Sequence, residues 1–133
     1  MNTEIQNQFV SYEISKKLKE LGFNEPCLAK YTKGELFWHP ISGSTIENSF
    51  LSRSVAAPLW QQCLDYLRIG KGIYIYINPF NEVLNHRKAI LFKWAILNHS
   101  VAKEFSIFEV AREQAILEAL ELTEKQKQHE YRN

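Results

Sequence analysis

Apolar positions recur every three or four residues from 58 to 67 and every second residue from 73 to 77, and these two periods organise the chain. Trp60, Cys63, Leu64 and Leu67 fall at i, i+3, i+4 and i+7, with Leu59 and Tyr66 widening the stripe, which is the spacing of a helix laid on a core. Gln61, Gln62, Asp65 and Arg68 take the other side. Pro58 suits the first turn, because its ring presets φ and the N–H it lacks would have no partner there. Gly70 is expected to be the left-handed residue that ends this helix, with Gly72 making the link pliable. Side chains alternate along a strand, so Ile73, Ile75 and Ile77 should face one way and Tyr74 and Tyr76 the other. Asn78 and Pro79 are expected to end that strand.

The same reading extends to both sides. Residues 1–8 are polar and expected to fray. Ser11 caps a helix with Ile14, Leu18 and Leu21 on its buried side and Lys16, Lys17, Lys19 and Glu20 in solvent. Gly22 stops it and places Phe23 to fold back on Leu18. Strands at 27–32 and 35–39 flank Lys33 and Gly34 as a hairpin, Pro40 closes the second, and a weak third strand is placed at 45–51. Residues 80–88 read as a polar connection. The stretch 89–97 fits either period; its aromatic and β-branched content favours a strand paired with 73–77. Ser106 and Glu109 have capping-box spacing and open a helix over 107–122 that buries Phe108, Ala111, Ala115 and Ala119, with Ile116 and Leu120 alongside. The expected fold is α+β: a mostly antiparallel sheet of four to five strands, three helices mainly on one face, one domain over 1–122 and a charged tail over 123–133.

Composition narrows the function classes. At 133 residues, 45% of them hydrophobic, the chain is long enough to bury a core without metal or disulfide staples. A formal charge of +1 gives no bulk preference for nucleic acid or an anionic membrane. No apolar run approaches the roughly 20 residues needed to cross a bilayer, and no apolar leader precedes a cleavage pattern. The two cysteines, Cys27 and Cys63, lie on apolar faces and form no CxxC, so they read as buried thiols in a reducing compartment, placing the protein in the cytosol.

Three segments carry a resemblance: SYEISKKLKELGFNEPC from Ser11, APLWQQCLDYLR from Ala57 and FEVAREQAILEALEL from Phe108. In combination they resemble a family of small uncharacterised proteins of Bacteroidetes phages and prophages. No activity is assigned to that group, so the resemblance implies a phage or prophage origin, hence host cytosol, and brings no catalytic residue. The stretch 78–105 has no counterpart in it.

Candidate chemistry is sparse. His39, His86, His99 and His129 are scattered with no HxxxH or HExxH spacing, so no metal or cofactor site is expected. Cys63 on an apolar stripe reads as buried rather than as a nucleophile. Gly70, Lys71 and Gly72 follow a helix and precede a strand, the reverse of a phosphate loop. The aromatic strands remain. Rings covering a second core layer are the plainer reading; exposed, they would form a binding face of Tyr74, Tyr76, Phe92 and Trp94, with Phe37 beside them. The expected role is therefore a non-enzymatic module for a host or phage protein, with self-association left open. The alternative is a stacking platform for single-stranded nucleic acid, rimmed by Lys71, Arg87, Lys88 and Lys93.

Overall fold

The structure is a computed structural model describing residues 3–38, 45–84, 87–97, 102–105 and 107–132. Pro40, Ser106 with its capping box, and His39, His86 and His99 lie outside the described residues. The chain is α+β and divides into two compact units, Met1–Cys63 and Leu64–Asn133, where the sequence suggests one domain over 1–122.

The first unit opens with α1 (Thr3–Gln6), a short helix where fraying was expected, and α2 (Tyr12–Glu20). The Ser11 hydroxyl accepts the Ile14 N–H at 3.3 Å and caps α2. At its other end Gly22 has φ 91°, Phe23 N–H donates to Leu18 O at 2.9 Å and Gly22 N–H to Lys19 O at 3.0 Å. This paired ending needs a residue free of the Cβ clash, which is why glycine stands there. Lys19, expected in solvent, instead donates its ammonium to Leu51 O and Ser54 O, each at 2.9 Å.

Three strands form the first sheet in the order β2 (Glu35–Trp38), β1 (Ala29–Thr32), β3 (Ser54–Ala57), all antiparallel. Lys33 and Gly34 have φ 53° and 79° between the paired Thr32 and Glu35, the two-residue turn whose twist matches the strands it joins. Phe9, Ala29, Leu36 and Ala57 pack together beneath this sheet, with Ile5, Tyr31, Trp38 and Leu59 around them.

The third strand is not at 45–51. That stretch makes one bridge, Cys27 to Ile46, and a 3-10 turn, Asn48–Phe50. Asn48 is buried; its amide N–H donates to Phe23 O and its carbonyl accepts the Ala56 N–H, both at 2.8 Å. Strand β3 instead takes residues 54–57, to which no element was assigned from sequence, because pairing with β1 outweighs local propensity.

From Trp60 the chain forms α3 (Trp60–Asp65) and a π-helical turn, Tyr66–Gly70, with Cys63 and Leu67 buried. Gly72, not Gly70, takes the positive φ, at 69°. The second unit's sheet has the order β4 (Ile75–Leu84), β5 (Arg87–Ile96), β6 (Ala102–Phe105), again antiparallel. Two three-stranded sheets thus replace the expected single sheet of four to five strands: β3 completes the first, and the β4–β5 hairpin with β6 makes the second. The stretch 89–97 is a strand up to Ile96, as its composition favoured, while 80–84 and 87–88 are strand where a polar connection was expected: β4 runs on through Pro79 to Leu84 and β5 begins at Arg87. Finally α4 (Phe108–Arg132) packs against all three strands of this sheet. The expected tail belongs to it: Thr123 is buried, its hydroxyl donates to Ala119 O at 3.0 Å, and no breaker follows.

Candidate functional site

The tyrosine strand is set up by the helix end before it. Ile73 N–H donates to Leu67 O at 2.9 Å and Gly72 N–H to Arg68 O at 3.1 Å, turning the chain out of the π-helical turn. Leu97 N–H then donates to Tyr74 O at 2.9 Å, and the ladder continues with Tyr76 opposite Ala95 and Asn78 opposite Lys93. Alternation holds as read: Ile73 is buried, while Tyr74 and Tyr76 are 43% and 46% exposed.

Register decides which aromatics share that face. Directly opposed residues of an antiparallel pair project to the same side. Ile77 opposes Trp94 and Pro79 opposes Phe92, so Trp94 and Phe92 belong to the isoleucine face. Trp94 is 1% exposed, and Phe92 packs edge-on against Phe108 of α4, ring centroids 5.6 Å apart. The expected cluster is thereby divided: Trp94 and Phe92 lie on the side that α4 covers, and only Tyr74 and Tyr76 lie on the other. Phe37 belongs to the first sheet.

The tyrosine face instead gains a residue the sequence reading passed over. Leu97, joined to Tyr74 and exposed, stands with Tyr74 and Tyr76, and half-buried Ala95 and Leu91 flank the polar Asn78–Lys93 pair along the same face. Ala95 opposite Tyr76 offers too little side chain to cover the ring. The sequence alone carried no signal for it, since the pairing of Leu84 with Arg87 that sets every later pair is a property of the folded hairpin.

Of the four basic residues expected at the rim, register puts Lys93 on this face. The Lys71 ammonium lies over the Tyr66 ring at 5.9 Å. Arg87 and Lys88 are strand residues whose side chains lie outside the described ones, as does that of His129 in α4.

The thiols are structural. Cys27 and Cys63 are free and buried, and burial pushes each up to about 12 from an ordinary value of 9.0, with nearby Glu25 adding to the rise. A thiol so hard to ionise is a poor nucleophile. Arg112 leans on Phe108, its guanidinium 5.4 Å from the ring, and partial burial lowers its pKa against the pull of Glu109 and Glu113. Among the described residues no group of three His, Cys, Asp or Glu is placed to hold a metal, and no helix is long and apolar enough to cross a membrane. Comparison with protein families, with curated proteins and with solved structures finds no match.

Proposed function

We propose that the chain is a non-enzymatic binding module, a phage or prophage accessory protein whose tyrosine face engages a protein in the host cytosol. The observation that carries this reading is the sidedness of the second sheet: one face is closed by α4, and the other presents Tyr74, Tyr76 and Leu97 to solvent. Tyrosine supplies a large, stiff contact surface with a hydrogen-bonding tip, the combination that anchors protein interfaces. Lys93 beside the rings suits a partner with an apolar centre and an acidic rim. Two free, buried thiols suit a reducing compartment. The phage origin rests on the resemblance of the three segments quoted above.

The test is capture from host lysate on the tagged chain, with and without nuclease, eluted in salt steps, followed by affinity measurement on the recovered protein. Tyr76→Ala should weaken binding by about tenfold or more while leaving thermal unfolding unchanged. Unchanged affinity removes the tyrosine face from the reading. Recovery of nucleic acid that is lost at moderate salt would favour the single-strand platform, because phosphate contacts weaken steeply with ionic strength.

A further inference from the structure

Strand β4 is ten residues long, stands at the edge of its sheet, and carries a proline near its centre. Among the described residues no strand pairs with its outer side. Its sequence, IYINPFNEVL, holds a single charge, Glu82, and no lysine. Long, weakly charged edges of this composition pair readily with one another.

The ladder shows which way Pro79 faces. Leu97 N–H reaches Tyr74 O, and the register runs without a bulge from Ile75↔Ile96 to Leu84↔Arg87. In an antiparallel ladder successive residues turn their N–H and C=O groups alternately toward and away from the partner strand. Tyr74, Tyr76 and Asn78 therefore turn theirs to β5, whereas Ile75, Ile77, Pro79, Asn81 and Val83 turn theirs outward. Pro79 costs the β4–β5 ladder nothing, since the N–H it lacks would point away from β5. It does interrupt the outer row of donors, widening the gap between neighbours from about 7 Å to about 14 Å at mid-strand.

We infer that Pro79 closes the outer edge of β4 against a second copy of this chain, so that the strand's own apolar sequence does not drive edge-to-edge association. A lysine on the edge and a short strand, two other safeguards of such edges, are missing from β4, and among the described residues Pro79 stands in their place.

The experiment is sedimentation velocity of the full chain over a concentration series. Pro79→Val should retain its circular dichroism spectrum and associate beyond the wild type, with weight-average mass rising about twofold or more with concentration. Pro79→Val combined with Asn81→Pro puts a proline back at an exposed, outward position and should return the mass to the wild-type value. Asn78→Pro, at an inward position, should instead lower the unfolding midpoint by breaking the β4–β5 ladder. A Pro79→Val chain that associates no more than wild type overturns the inference. So does association that the Asn81→Pro change leaves intact, and so does a Pro79→Val chain that fails to fold, since the strand would then need the ring rather than the missing donor.

Discussion

Asn48 shows how one amide can hold a connection that has no regular structure. It donates to Phe23 O beyond the end of α2 and accepts from Ala56 N–H in β3, so both ends of the amide are assigned by backbone partners. Ser49 N–H adds a bond to the Asn24 side chain at 2.7 Å. Asn48→Ala leaves a buried carbonyl and a buried N–H without partners, and should cost about 3 kcal/mol in chemical denaturation; a loss below about 1 kcal/mol would mean that water replaces the amide there. None of this could be read from residues 41–53. A stretch rich in Ser, Asn and Thr reads as a loop, and burial of one asparagine within it depends on two elements distant in sequence. Ser11 and Gly22 were legible because each acts on backbone within a few residues of itself.

At the scale of elements, period two was legible and register was not. Alternation along 73–77 predicted that the tyrosines face away from the isoleucines, while covered rings were the plainer expectation and the structure leaves Tyr74 and Tyr76 exposed. Which residues of the next strand join them depends on pairing, and pairing depends on a connection the sequence reading treated as a loop over 80–88. Once Leu84 is opposite Arg87, the arithmetic of the hairpin puts Trp94 behind Ile77 and brings Leu97 to Tyr74. Pro79 was misread for a related reason. The rule that proline ends a strand holds for a strand paired on both sides, and whether a strand is an edge is a property of the sheet. Helix α4 ran past its expected end because residues 123–132 contain good helix formers and neither glycine nor proline, so polarity alone marked them as a tail.

At the scale of the molecule, the two thiols report on the first unit, to which both belong. Each is held near 12 in the folded state against about 9.0 when unfolded, so the folded chain keeps its thiol protons over a range where the unfolded chain has lost them. The stability these thiols contribute is complete below pH 9.0 and is lost as pH rises toward 12. Urea midpoints should therefore fall more steeply with pH in the wild type than in Cys63→Ala over that window, and the two slopes should agree at neutral pH; equal slopes throughout would mean the thiol is already open to water. A neutral-pH thiol reagent should label neither cysteine faster than the first unit unfolds.

The π-helical turn at Tyr66–Gly70 has a bearing on how the chain tolerates edits to its length. At the end of α2 the closing bonds span three and five residues, from Gly22 to Lys19 and from Phe23 to Leu18; after the π-helical turn they span four and six, from Gly72 to Arg68 and from Ile73 to Leu67. The second ending is the first with one residue to spare, and Ile69, 74% exposed, lies inside it. Deleting Ile69 should tighten the turn into an ordinary helix end and leave the fold intact, with stability changed by about 1 kcal/mol or less. Deleting Lys17 from α2, where nothing is spare, should turn Leu18 off the core by about 100° and unfold the first unit, a contrast that thermal melts of the two deletions would show.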